Sequence, residues 1–308
     1  LDVKNIGTGA YGVVCSAIDR ITGRKVAIKK VPNIFGTITV TKQTLREVKI
    51  LRHFHHPNII AVLDIENIYI VLNLMETDLH RIIHSAQPLT DHHVRFFMYQ
   101  ILRALKYIHS ANIIHRDLKP SNIMVNANCQ VKIGDFGMAR SLAPGNDRKD
   151  LFMTQYVSTR WYRAPEILFS LLDYSYSVDV WSVGCIFGEI LNRRQLFPGK
   201  DHVNQIKLII HHLGTPSDDL LNRIPSDIIK RVILSYGTIA PVPWRELAPN
   251  ASPSAIALLS VMLKICPWER TSVEKALGHP YLSEFRDEQS EITCEPFVST
   301  DSSTQHIC

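Results

Sequence analysis

The sequence predicts an α+β protein of two lobes, and three observations carry that prediction. Short alternations of apolar and polar residues fill about the first seventy positions, where 12–18, 25–31 and 68–74 read as strands. From Asp91 onward the apolar spacing is helical: 91–110 is a long amphipathic run behind Thr90 as a cap, and 178–191 and 254–264 read as buried helices. The change from one pattern to the other falls at 73–78, a hinge between a small sheet lobe (1–72) and a large helical lobe (79–285). One helix interrupts the sheet, because Leu45, Val48, Ile50, Leu51 and Phe54 recur at helical spacing within 41–54.

Composition bounds what such a chain can be. With 308 residues, 45% of them hydrophobic, it can bury a large core, which excludes a disordered tail or a mini-protein. A net charge of +5 is too mild and too dispersed to argue direct binding of nucleic acid. No apolar run reaches membrane-span length, the first residues lack a secretory pattern, and six cysteines show no metal spacing. The reading is of a reduced, intracellular, soluble protein without internal repeats, and neither nucleic acid nor membrane is expected as a partner.

Chemistry enters at Gly7-Thr8-Gly9-Ala10-Tyr11-Gly12, a GxGxxG pattern. A dinucleotide-binding fold needs a helix after the third glycine. Here 13–18 is a strand and Thr22-Gly23 turns it back, so the glycines sit at a hairpin tip where backbone amides can cover phosphates. The returning strand, Val26-Ala27-Ile28-Lys29, projects one lysine, and Glu47 on the apolar helix is the acid that needs a partner. Then come His115-Arg116-Asp117-Leu118-Lys119-Pro120-Ser121-Asn122 and, after a stretch rich in β-formers, Asp135-Phe136-Gly137.

In that order these motifs resemble the eukaryotic protein kinases, so the expected architecture is the bilobal kinase fold. The resemblance implies that Asp117 orients the substrate hydroxyl and accepts its proton, and that Lys119 balances charge on the transferring phosphoryl group. It implies Lys29 held by Glu47 at the phosphates, and Asn122 and Asp135 as hard oxygen ligands for Mg2+. ATP would be contacted by Gly7 through Gly12, Val14, Ala27 and Lys29, with Leu72 as gatekeeper, the backbone of Asn73 and Met75 on the adenine edge, and Asp78 near the ribose. His115 and Phe136 read as packing.

The segment before Ala164-Pro165-Glu166 carries Thr154-Gln155-Tyr156, and a Thr-x-Tyr motif there is similar to the dual-phosphorylation lip of the MAP kinases. Each phosphate adds roughly −1.5 to −2 charges and needs guanidinium partners. The resemblance assigns Arg46, Arg116 and Arg140 to phosphorylated Thr154, and Arg160 and Arg163 to phosphorylated Tyr156. It also implies that Asp179 is buried and anchors the catalytic loop, and that Arg270 pairs with Glu166. The stretch 214–251 resembles the MAP kinase insertion, and the kinase domain is expected over 1–297. Segments 75–80, 84–90 and 134–140 look most like the big MAP kinase subgroup.

The same resemblance implies MgATP-dependent, proline-directed phosphorylation of serine or threonine in a signalling cascade, activated by a dual-specificity MAP kinase kinase. Docking-motif proteins and phosphatases would bind an acidic patch in 286–308, at Asp287 and Glu291, with Ser290 standing where a second aspartate is usual. The implied location is cytoplasmic and nuclear. Three departures stand out: Gln155 where the subgroup has glutamate, a sheet hairpin near 63–68 shorter by about ten residues with a Glu66-Asn67 turn, and no long C-terminal segment returning to the small lobe. They motivate an alternative, a docking or scaffolding isoform, against which the retention of Lys29, Glu47, Asp117, Asn122 and Asp135 speaks.

Overall fold

A computed structural model describes residues 3–9, 12–31, 38–142, 159–171 and 175–298. The front of the chain folds into a five-stranded antiparallel sheet of β1 (Lys4–Gly9), β2 (Gly12–Ile18), β3 (Lys25–Lys30), β4 (Val62–Glu66) and β5 (Tyr69–Asn73), in the order β1-β2-β3-β5-β4. Gly9 pairs with Gly12 across the first hairpin, so the third glycine opens a strand and the glycine motif lies at a turn. Gly23, at φ 68°, closes the second hairpin in a conformation that glycine takes without a Cβ clash. The Asp19 carboxylate receives Thr22 Oγ1 at 2.5 Å and the Ile21 N–H at 2.9 Å in the same turn.

The helix of the small lobe, α1 (Ile38–His53), buries Thr44, Glu47, Ile50 and Leu51, whereas Leu45 is 47% exposed. Its inner face is half polar because it borders a cleft. The β4–β5 turn falls on Asn67-Ile68, one residue later than the sequence suggests, since Glu66 still pairs with Tyr69. Asn67 takes φ 52°, a left-handed value that asparagine tolerates. The register slips between Val62 and Asp64, and the disturbance stays on β4, the edge strand.

Past the hinge, β6 (Thr77–Asp78) leads into α2 (Leu79–His84), then α3 (Asp91–Ser110) and β7 (Ile113–Ile114). Thr90 caps α3 in a capping box with His93. Strands β8 (Ile123–Val125) and β9 (Val131–Ile133) join β6 in a three-stranded sheet, and β10 (Arg140–Ser141) pairs with β7. Helices α4 (Pro165–Leu168), α5 (Ser177–Asn192), α6 (His202–Leu213), α7 (Asp218–Arg223), α8 (Asp227–Leu234), α9 (Trp244–Leu247), α10 (Pro253–Met262) and α11 (Val273–Leu277) complete the large lobe. Asp201, Ser217, Ser226, Ser252 and Ser272 cap five of them, each accepting a backbone N–H of the first turn.

The core of this lobe is built on α5, buried from Val178 to Ile190, against α3 and α10, with Trp181, Phe187 and Phe97 almost fully enclosed. Each such side chain stabilises the fold by roughly 1.5–3 kcal/mol. No helix among the described residues is long and apolar enough to cross a membrane. Residues 291–298 run back along α3: the Phe297 N–H donates to the Ala111 carbonyl at 2.9 Å, and the Phe297 ring stacks edge-on with His53 of α1 at 5.4 Å. Through Phe297 and the Glu295 carbonyl, which lies 2.9 Å from His53 Nε2, this stretch touches α1 of the small lobe.

Candidate active site

The cleft between sheet and helices is built by three segments. From the sheet, β3 sets Lys29 opposite Val14 and Ile70, and its ammonium donates to both Glu47 oxygens, at 2.9 and 2.8 Å. Burial pushes the Glu47 carboxyl up; Lys29 opposes that shift and the nearby Asp135 charge adds to it. Three carboxylates, Glu47, Asp117 and Asp135, and one ammonium thus share a small pocket, which Gln43, Thr44 and Met138 also line. Sequence reading did not single out Gln43 and Thr44, although both share the helical face of Glu47, at i−4 and i−3.

The catalytic-loop octet lies between β7 and β8. Arg116 adopts φ 69°, a strained value for a residue with a side chain. Asp179 of α5 compensates, accepting the N–H groups of His115 and Arg116, each at 2.8 Å, with His109 Nε2 2.9 Å away. Burial alone would raise the Asp179 pKa; the His109 bond and these amides bring it below the usual carboxylate range instead. Held this way, Asp117 is 8% exposed and accepts from Lys119 Nζ at 2.8 Å. Asn122 donates its amide to the Asp117 carbonyl at 2.8 Å and to its carboxylate at 3.3 Å, which leaves the Asn122 carbonyl oxygen for another role.

Asp135 takes φ 60° and ψ 69°, and its carboxylate makes no hydrogen bond among the described residues. Phe136 is fully buried against His115 (4.7 Å between centroids) and Phe54 (5.5 Å), so both aromatics are core, and they join the loop to the end of α1. A second link runs from Arg46 to the Gly137 carbonyl at 3.3 Å. Arg140 bonds the Met138 and Ala139 carbonyls at 3.2 and 2.8 Å.

At the hinge, Leu72 pairs with Ala27, and the Asn73 N–H donates to the Ala61 carbonyl at 3.3 Å. Neither backbone group of Met75 has a hydrogen-bond partner among the described residues, as an edge that receives an adenine requires. Asp78 caps α2 through the Arg81 N–H at 2.9 Å, so one of its oxygens is spent on structure. With an uncommitted Asp135 carboxylate, the spare Asn122 oxygen, the clamped Lys29 and this open hinge, the residues present fit a nucleoside triphosphate and a hard divalent cation.

Ala10, Tyr11, Thr154, Gln155 and Tyr156 lie outside the described residues. Arg160 and Arg163 flank a short turn, Arg46 reaches the Gly137 carbonyl, Arg140 lies on β10, and Arg116 follows β7, the strand that pairs with β10. Arg270 forms the expected pair with Glu166, at 2.8 and 3.0 Å, both side chains essentially unexposed. Glu291 is the correction: its side chain is 3% exposed and its oxygens are taken by Lys106 at 3.1 Å and Arg286 at 3.4 Å, so it belongs to the fold and not to an open acidic patch. Asp287 remains exposed and caps the Glu288–Ser290 turn.

Comparison with known proteins agrees with this geometry. The model of the protein kinase domain matches residues 2–282. The chain is 51% identical to mitogen-activated protein kinase 10 of Arabidopsis thaliana, over 96% of this chain and 76% of that one. It is 50% identical to the mitogen-activated protein kinase spk1 of Schizosaccharomyces pombe (96% and 81%) and 49% identical to extracellular signal-regulated kinase 1 of Dictyostelium discoideum (95% and 56%). With a bilobal fold, a lysine–glutamate clamp and these relatives along nearly its whole length, the chain belongs to the MAP kinase family of serine/threonine protein kinases, which use ATP with Mg2+ on Ser/Thr-Pro substrates in kinase cascades.

Proposed function

We propose that Asp117 receives the proton of the substrate hydroxyl while Lys119, bonded to the same carboxylate, holds it in place. Lys29, fixed by Glu47, would position the triphosphate, and Asn122 and Asp135 would hold Mg2+, which when bound neutralises phosphate charge. Val14, Ala27 and Leu72 would enclose the base, with the Asn73 carbonyl and Met75 at its edge, and Asp78, whose two oxygens face the Arg81 N–H and the Arg81 guanidinium, would lie near the ribose. The observation that carries this reading is the meeting of Lys29, Glu47, Asp117 and Asp135 around one pocket.

Activation is assigned to phosphorylation of Thr154 and Tyr156 by a dual-specificity MAP kinase kinase, with Arg46, Arg116 and Arg140 receiving the first phosphate and Arg160 and Arg163 the second. Asp287 is, of the two acids assigned to docking, the one left for docking-motif proteins and phosphatases, and losing Glu291 from the set makes that contact weaker than a full patch. Work in both cytoplasm and nucleus suits a cascade kinase. The test is to treat the purified chain with such an upstream kinase and measure MgATP-dependent phosphate incorporation into peptides with and without proline after the acceptor. Selective labelling of the proline peptide is expected, abolished by Asp117→Asn and by Thr154→Ala with Tyr156→Phe. Equal turnover in either variant refutes the corresponding role.

A further inference from the structure

Among the described residues, one cluster of metal-ligating side chains lies outside the cleft and takes no part in the phosphoryl transfer proposed above. His80 and His84 lie one turn apart on α2, with ring centroids 4.3 Å apart. Glu189 reaches them from α5 and is fully buried, and no lysine or arginine pairs with it among the described residues. Its Oε2 accepts the Tyr162 hydroxyl at 2.6 Å, and its Oε1 lies 3.9 Å from His84 Nε2.

The His84 ring is set up as a ligand. Its Nδ1 lies 2.9 Å from the His80 carbonyl, which places the proton there and turns the Nε2 lone pair toward Glu189. Gln195 Nε2 contacts both the lone pair, at 3.1 Å, and Glu189 Oε1, at 3.3 Å, so a donor occupies the point where an electrophile would sit.

We propose that His80, His84 and Glu189 form a site for one divalent transition-metal ion, Zn2+ by ligand type, separate from the Mg2+ of the cleft. Two imidazoles and a carboxylate with an open fourth position are a zinc donor set. The three ligand atoms lie within 4.8 Å of one another. Bond lengths of about 2.0–2.1 Å around a tetrahedral ion need ligand spacings of about 3.3 Å. The two histidines lie at the surface and can rotate to close the difference, whereas Glu189 is fixed. Gln195 would give way to water or turn its amide oxygen inward. The ion would tie α2 to α5 beside Tyr162, just before Ala164-Pro165-Glu166.

The test uses the full chain, freed of metal by a chelator. Zn2+ is titrated in competition with a chromophoric indicator, and Co2+ is added separately to read the visible bands of a tetrahedral site. One equivalent is expected to bind at least ten-fold more tightly to the wild type than to His80→Ala or His84→Ala, with the Co2+ bands lost in both. His92→Ala removes a surface histidine paired with Glu284 and is expected to behave as wild type. Equal affinity and stoichiometry in wild type and His84→Ala, or no binding to the wild type, overturns the site. His80 is exposed, so His80→Ala carries the test alone should His84→Ala fail to fold.

Discussion

His56 offers a test in which the structure fixes both sign and size. It lies between α1 and β4, its Nδ1 accepting the Asn58 N–H at 3.0 Å and its ring 4.9 Å from that of Tyr107. The other nitrogen, Nε2, is buried with no partner among the described residues and already carries the neutral ring's proton, so a second proton would have to enter at Nδ1, where it would face the Asn58 N–H and cost that hydrogen bond. Burial, helped by the Arg103 and Lys132 charges, lowers its pKa from 6.5 to about 3. The folded protein then keeps His56 neutral where the unfolded chain takes up a proton, so stability falls as pH drops below about 6.5 and goes on falling toward about 3. At pH 5 the loss from this one residue is about 2 kcal/mol, or about 3 °C in melting temperature for a chain of this length. His56→Gln keeps an acceptor for Asn58 and cannot titrate. Thermal unfolding of both proteins at pH 7.5 and pH 5 gives four temperatures, and the wild type is expected to lose about 3 °C more than the variant between the two pH values. Equal losses refute the neutral buried ring.

Three further perturbations test other parts of the fold. Glu47→Gln removes the charge that clamps Lys29 and leaves Asp117 and Asp135 as the acids lining its pocket; turnover is expected to drop about a hundred-fold with an unchanged melting curve, and near wild-type turnover counts against the clamp. Arg270→Met strands Glu166 in the core, and chemical denaturation should show a loss of about 3–5 kcal/mol; a loss under about 1 kcal/mol sinks the claim that this pair is buried and bidentate. Asn67→Val places a β-branched residue at φ 52° and should destabilise the protein by about 1–2 kcal/mol, while Asn67→Gly is close to neutral; the reverse order contradicts the left-handed turn.

Sequence alone reveals what chemistry or capping ties to neighbouring residues. The octet 115–122 and the triplet 135–137 keep their meaning because phosphoryl transfer needs those groups a few positions apart. The limits of α3 come from Thr90 and a continuous apolar stripe. Helices as short as α2 and α7 carry too few turns to show a period. Leu45 points outward because the α1 face that mattered borders a polar cleft, which an apolar count ranks last. Glu291 reads as part of an acidic surface because its partner Lys106 is 185 residues away, and its fate depends on that packing. The zinc ligands are hidden for the same reason: Glu189 joins the histidines only once α5 lies under α2.

The order of the strands keeps an irregular edge away from the chemistry. The slip at Val62/Asp64 lies on β4, and β4 is the edge strand, so it is absorbed where none of the cleft residues sits. Lys29 is on β3, the middle strand, whose pairing with β2 and β5 runs without a shift from 25 to 30. On the other side of the cleft Asp117 depends on α5 through Asp179, a contact wholly inside the large lobe. The two halves meet through the aromatic chain Phe54–Phe136–His115 and the Arg46–Gly137 bond. A shift of α1 that broke the Lys29–Glu47 pair would therefore also loosen Phe136 and reorient Asp135 beside it. Lys29, Glu47 and Asp135 are thus coupled through α1 and the Phe136 ring, so the two sides of the cleft cannot shift independently.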